Sequence, residues 1–218
     1  MKKRKNIITV AIDSPAAAGA GTQSKMIAKN YNLTYLDTGK IYRYLGLLVI
    51  QKNNKVDYSY LYKKIKKITS KTLSNKKLLN ENVAKTASVI AKKKKIRNMV
   101  HAYQKKFAYN PPKKYSGSIL DGRDITTIQV KDAMFKFYIT ASLNERAKRR
   151  FLEYKIMKKK ISFKEVLKSL KNRDKSDRTR KYGPLKKTKD SILINTTKLS
   201  KKACFMKIKA IMDRKLKS

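Results

Sequence analysis

The sequence predicts an α/β fold: a parallel five-stranded sheet with helices on both faces. Two observations lead there. Short β-branched runs alternate with longer stretches of helical character, and parallel strands need crossover connections that are usually helical. Motifs rich in Gly, Asp and Arg also recur directly after the strand-like runs, which is where such sheets collect their ligands.

Asn6–Asp13 reads as the first strand, and Gly21–Tyr31 as a helix whose N-terminus faces a bound anion. Leu33–Leu36 is a short second strand closed by Asp37-Thr38-Gly39. Helical material is expected from Lys40 to Lys52, over Tyr58–Thr69, and from Asn80 to Tyr109, where Pro111 and Pro112 break it. Ser118–Leu120 and Phe135–Thr140 are the next strands, the latter strongly β-forming. Helices follow over Leu143–Lys158 and Phe163–Asn172, then a strand over Ser191–Ile194. Ser200 is the expected N-cap of a closing helix with Cys204, Ile208 and Ile211 on one face.

Composition narrows the class. A 218-residue chain that is 41% hydrophobic can bury a real core. The single cysteine, Cys204, excludes an intramolecular disulfide and a Cys-rich zinc site. No apolar run approaches the ~18 residues that a membrane span needs, and no secretory signal is recognisable, so no membrane partner and a cytoplasmic location are expected. The net charge of +43 is spread along the whole chain rather than gathered in one stripe. It reads as a solvated surface whose field attracts polyphosphates, with no specific nucleic-acid footprint.

The chemistry begins in the loop Ser14, Pro15, Ala16, Ala17, Ala18, Gly19, Ala20, Gly21, Thr22. It follows a strand and opens a helix, as a phosphate-binding loop does, yet Ser14 replaces the first glycine and Ala20 stands where the lysine belongs. Downstream, Thr38 and Arg43 are spaced to hold one phosphate between them. Asp121-Gly122-Arg123-Asp124 puts an Arg and a carboxylate at a strand end. Arg173, Asp177 and Arg180 fall at helical spacing, presenting cation, anion and cation on one face. Guanidinium forks suit phosphate oxygens, and a carboxylate accepts from a sugar hydroxyl.

These motifs resemble those of the bacterial cytidylate kinase family, over nearly the whole chain. The resemblance rests on Ile12-Asp13-x-Pro15-Ala16, Tyr35-Leu36-Asp37-Thr38-Gly39-x-x-Tyr42-Arg43, Asp121-Gly122-Arg123-Asp124, Ala141-Ser142-x-x-Glu145-Arg146-Ala147-x-Arg149-Arg150 and Arg173-Asp174-x-x-Asp177-x-x-Arg180. It implies a nucleoside-monophosphate kinase of the phosphate-loop type, with ATP and Mg²⁺ as cofactors and CMP or dCMP as acceptor. It implies Thr38, Arg43, Arg123 and Arg180 as ligands of the monophosphate, and Arg173 and Asp177 as ribose contacts. Ser88, Arg97 and Asp124 would read the cytosine edge. Arg146, Arg149 and Arg150 would lie near the ATP phosphates, and Arg123, Arg173 and Arg180 would act in catalysis. No residue is expected to bind metal directly; Asp13 and Asp37 are weak candidates for orienting metal-bound water. The resemblance also implies a core over 1–38, 113–145 and 183–218, a monophosphate-binding insertion over 39–112 and a lid over 146–182. A monomer with small-molecule partners is expected.

Ser14 is tolerable if its φ is negative. Ala20 removes a cation aimed at developing charge, so lid arginines or backbone N–H groups are expected to substitute, and Lys25 is expected to point elsewhere. A degenerate nucleotide-binding kinase, or a basic nucleic-acid-binding protein on this fold, are the alternatives. His101 reads as a surface or packing residue, Cys204 as core, and Tyr58, Tyr60 and Tyr62 as packing within the insertion.

Overall fold

A computed structural model describes residues 7–217; Asn6, expected to open the first strand, and the basic residues before it lie outside the described residues. Within them the strands are β1 (Ile8–Asp13), β2 (Leu33–Asp37), β3 (Gly117–Gly122), β4 (Phe135–Thr140) and β5 (Ile192–Asn195). They form one sheet in the order β2-β3-β1-β4-β5, every pair parallel. Because successive side chains point to opposite faces, β1 feeds two cores. Val10 and Ile12 pack with Phe137, Ile139 and Ile194 on one side. Ala11 packs with Leu36 and Leu120 on the other.

Helices α1 (Ala20–Asn30) and α9 (Lys201–Lys217) cover the first face. In α9 the buried face is Cys204, Ile208 and Met212, with Ile211 only partly buried, one residue from the expected stripe. The second face is covered by α2 (Thr38–Gln51), α3 (Tyr58–Lys66), α5 (Glu81–Ile90) and α6 (Lys94–Tyr109). A short α4 (Ser70–Ser74) and a 3₁₀ turn (Lys76–Leu79) connect α3 to α5. The single helix expected from Asn80 to Tyr109 is therefore two helices. The chain leaves α5 at Ala91, and Lys93 is extended at φ −81° and ψ 121° before α6 begins. Tyr58 and Tyr60 pack on this core, whereas Tyr62 is exposed under Lys66.

Helices α7 (Leu143–Ile156) and α8 (Phe163–Thr179) pack on each other around Ala147, Val166 and Leu170, with Ala16 of the loop in the same cluster. Ser162 and Glu165 form a reciprocal N-terminal cap on α8. That helix runs seven residues past the expected Asn172, so Arg173 and Asp177 sit on a true helix and Arg180 caps it in extended conformation. No helix among the described residues is long and apolar enough to cross a membrane.

Candidate active site

The loop after β1 is built from backbone. Gly19 takes φ 93°, a conformation open to glycine, and no side chain caps α1, so the first N–H groups of that helix are left for an anion. Ala17 holds φ 61°, which strains an L-residue. Ser14 is not among the residues with positive φ, and its N–H donates to the Gly122 carbonyl at 3.1 Å, so the missing first glycine costs nothing in conformation. Ala20, the position of the missing lysine, is buried.

A cavity of about 370 Å³ lies over this loop, bordered by Ser14, Pro15, Ala16, Ala17, Ala18, Gly19, Ala20, Gly21 and Thr22. Lys25, Arg43, Arg123, Arg150 and Arg173 bring positive charge to it. Lys25, expected to point elsewhere, is an exposed residue at the border of the loop cavity. Arg150 also lines this cavity, its Nη1 2.9 Å from Glu153 Oε2. Arg149 crosses behind the loop, donating to Thr196 Oγ1 at 2.9 Å and to the Thr196 carbonyl at 2.8 Å. Arg146 departs from its expected place beside phosphate. It is buried, grips Asp174 with both guanidinium nitrogens at 3.1 and 2.6 Å, and donates to the Ala16 and Ala141 carbonyls. Its donors are spent tying the loop to α8, because Asp174 faces it across the α7–α8 contact.

The second half of the site adjoins the first. A narrow cavity of about 70 Å³ is lined by Thr38, Arg43, Ser88, Arg123, Asp124, Arg173, Asp177 and Arg180, together with Tyr42 and Gly122. It shares Arg43, Ser88 and Arg173 with a cleft of about 510 Å³ between α5 and the α7–α8 pair. Arg97, the remaining residue expected here, is fully buried behind the pocket and paired with Asp124.

The electrostatics are those of an anion site. Arg123 Nε lies 2.9 Å from Asp177 Oδ2, and Arg180 Nη1 3.3 Å from Asp177 Oδ1. Burial opposes the charge of Asp177, but Arg123, Arg173 and Arg180 outweigh it and hold the carboxyl below its usual range. Arg173 has no such relief. Burial, then repulsion from Arg123, lowers it to about 10 despite Asp177 at 3.9 Å, and its Nε is buried without a hydrogen-bond partner. Burial and the nearby Arg150 likewise lower Arg43. One carboxylate among Arg43, Arg123, Arg173 and Arg180 cannot neutralise them; phosphate oxygens would. Thr38 gives its hydroxyl proton to the Asp121 carbonyl at 2.6 Å, leaving only its lone pairs toward the pocket.

Three carboxylates border the loop cavity: Glu153, paired with Arg150, and Asp37 and Asp121. Burial and then Asp37 push Asp121 well above the ordinary carboxylate range, and Tyr35 donates to it at 2.9 Å. Asp13, expected beside a metal, is instead a structural anchor. It is fully buried and accepts from Ile125 N, Thr126 N and Thr126 Oγ1 at 2.7, 2.9 and 2.6 Å. Asp121 at this wall was not expected from the sequence, although the Asp-Gly-Arg-Asp motif at the end of β3 was the available signal. His101 was also underrated: its Nε2 lies 3.5 Å from Asp124 Oδ2.

Fold and site together define an α/β protein of the phosphate-loop type, with two adjoining cavities that share arginines. The family model described as cytidylate kinase matches residues 10–214. Curated relatives include a cytidylate kinase of Fusobacterium nucleatum, 39% identical over 88% of this chain and 91% of its own length. Another, from Bartonella henselae, is 39% identical over 96% of both chains. An uncharacterized protein from Eubacterium ventriosum, known from its crystal structure, shares the fold at a TM-score of 0.54 and 12% identity, over 94% of this chain and 98% of its own. The chain belongs to the cytidylate kinase family.

Proposed function

We propose that the protein transfers the γ-phosphoryl group of ATP to CMP or dCMP, yielding ADP and CDP or dCDP. The observation that carries this reading is the pair of adjoining cavities, one walled by the phosphate loop and one by Ser88 and Asp124, with Arg43, Arg123 and Arg173 common to both. ATP would lie on the loop with its phosphates toward those arginines. The monophosphate would meet it from the other side, its phosphate on Arg43, Arg123 and Arg180 and its ribose on Arg173 and Asp177. Asp124 would accept from the cytosine amino group, with Ser88 and Arg97 beside the ring acceptors. The 70 Å³ pocket is smaller than a nucleotide, so bound CMP would also occupy part of the adjoining cleft.

Phosphoryl transfer needs alignment and neutralised charge rather than a covalent nucleophile. The loop N–H groups and the N-terminus of α1 take the donor phosphates, and the shared arginines gather charge on the equatorial oxygens. The arginines and Lys25 stand in for the ammonium absent at Ala20. Asp37 and Asp121 suit hydrated Mg²⁺, since burial and then repulsion from Asp37 raise Asp121, and a dication beside the two carboxylates would offset both. That ion would supply charge neutralisation between phosphate oxygens. The segments 39–112 and 146–182 would act as insertion and lid; they already touch where Lys159 Nζ meets the Leu79 carbonyl at 3.4 Å. Their closure would exclude water from the transferring group. We take the protein to act as a monomer on these small-molecule substrates in the cytoplasm, which size-exclusion chromatography of the full chain would check.

An ADP-release assay over the common nucleoside monophosphates tests the reading. CMP and dCMP should turn over with MgATP well ahead of UMP, AMP and GMP. Absence of CMP turnover at saturating substrate would remove it.

A further inference from the structure

The carboxylate proposed to read the base is held unevenly. Asp124 follows β3 and precedes a π-helical turn, Ile125–Gln129, closed by Val130 N–H on the Ile125 carbonyl at 2.8 Å. That wide turn brings Gln129 back onto the residue five positions before it, and Gln129 Nε2 donates to Asp124 Oδ2 at 2.9 Å. Arg97 Nη2 pairs with the same oxygen, and His101 Nε2 approaches it to 3.5 Å. Three nitrogen groups thus converge on Oδ2. The other oxygen, Oδ1, accepts no hydrogen bond among the described residues, although Asp124 borders the monophosphate pocket.

The surroundings make this asymmetry rigid. Arg97 is anchored by Nη1 on the Ala91 carbonyl at 3.1 Å and lies over the Tyr42 ring at 5.6 Å. Gly183, at φ 59°, covers the pair so closely that a Cβ there would run into Arg97 Nη2 and Asp124 Oδ2. Its carbonyl accepts from Arg180 Nε at 2.6 Å, which links the pocket floor to the lid arginine. Tyr42 Oη, Arg97 Nε, His101 Nε2 and Gln129 Oε1 are buried here without hydrogen-bond partners, so His101 lies against Oδ2 while only Arg97 and Gln129 bond it; such a density of orphaned polar atoms marks a ligand site rather than a finished core.

We propose that Gln129 and His101 are positioning residues for base recognition: Gln129 by its hydrogen bond to Oδ2, and His101 by lying against that oxygen, leave Oδ1 of Asp124 as the sole acceptor presented to the base, and so set the preference for cytosine over uracil. This rests on the CMP reading above. Burial raises the cost of ionising Asp124, but His101 and Arg97 outweigh it and hold the carboxyl below its usual range. An ionised carboxylate only accepts, so it suits the amino group of cytosine and repels the 4-oxo group of uracil. Without His101 and Gln129 only Arg97 would hold Oδ2, so Oδ1 would be less fixed in direction and the carboxylate easier to protonate, and a protonated carboxyl donates to uracil.

Calorimetric titration of the full chain with CMP, UMP and a non-hydrolysable ATP analogue tests this without needing turnover. His101→Leu should weaken CMP about threefold to tenfold and narrow the CMP-over-UMP ratio by a similar factor, on the scale of one lost polar contact with a buried carboxylate. Affinity for the ATP analogue should not change. His101→Gln restores an N–H donor and should recover most of the loss, which a merely packing role would not predict. Gln129→Leu should shift CMP in the same direction and serves as the second variant should His101→Leu fold poorly. In an Asp124→Asn background His101→Leu should add little. CMP binding by His101→Leu equal to the starting protein, or equal losses in the Leu and Gln variants, would overturn the proposal while leaving the CMP reading intact. No CMP binding by the unaltered chain would remove both.

Discussion

The acceptor side of the site and its donor side are made of different material. The acceptor pocket is crowded with charged side chains, Arg43, Arg123, Arg173 and Arg180 around Asp177, with Asp124 beyond them. The donor loop offers alanines, Gly19 and Gly21, and its one expected cation is Ala20. In the proposed function, recognition on the first side rests on functional groups that substitution can delete. On the second it is carried by peptide N–H groups, fixed by backbone shape, which substitution scarcely touches. Loss of a side chain is therefore costly in one half and tolerable in the other, and the arginines between them serve both.

The largest effect should come from that shared ground. Arg173→Ala should lower kcat/KM for CMP on the order of a thousandfold, as for other groups aimed at transition-state charge. Steady-state rates measure it, and a loss under tenfold would show that the arginines are redundant. Asp124→Ala should reduce kcat/KM for CMP by about a hundredfold with little change in the KM for ATP. Equal damage to both substrates would erase the division between the halves. Ala20→Lys probes the donor side. Because Lys25 and Arg150 already border the loop, kcat should change by less than about tenfold. A gain of several hundredfold would mean that backbone alone serves the donor poorly.

Stability offers two smaller contrasts. Asp13, at about 6, and Asp121, also raised, hold their protons in the folded state to higher pH than the unfolded chain does. The native protein thus binds more protons above the ordinary carboxylate range, and stability should fall as pH rises from there through about 6 for Asp13 and about 7 for Asp121. Asp121→Asn should flatten part of that fall and gain on the order of 1–3 kcal/mol at pH 8 in metal-free urea titrations, while activity drops. A steeper pH slope in the variant would contradict the assignment. Ala17→Gly relieves a left-handed alanine and should stabilise by about 1 kcal/mol, with activity nearly unchanged.

Much of this division was legible in the sequence, though not evenly. The strands and the loop announced themselves because β-branched runs ending in Gly or Asp have few other readings. The residues of the acceptor pocket stood in contiguous motifs, Thr38 to Arg43, Arg123-Asp124 and Arg173 to Arg180. Contacts between distant segments left no such trace. Arg146 is diverted from the cavity by Asp174 on another helix, and sequence spacing does not register that pairing. His101 meets Asp124 only because α6 packs beside the end of β3. The break between α5 and α6 falls in a lysine run with no proline or glycine, so it is made by tertiary packing rather than by local propensity.

The guanidinium crowd has a consequence for how the enzyme rests between turnovers. A cavity that concentrated in positive charge, within a chain of net charge +43, would not stand filled with water alone in a cell that contains inorganic phosphate. A small oxyanion would lodge there, and each substrate would arrive by exchanging with it rather than by entering a vacancy. Apparent substrate affinity would then depend on the anion of the buffer as well as on ionic strength, so the same protein would look weaker in phosphate or sulfate than in chloride.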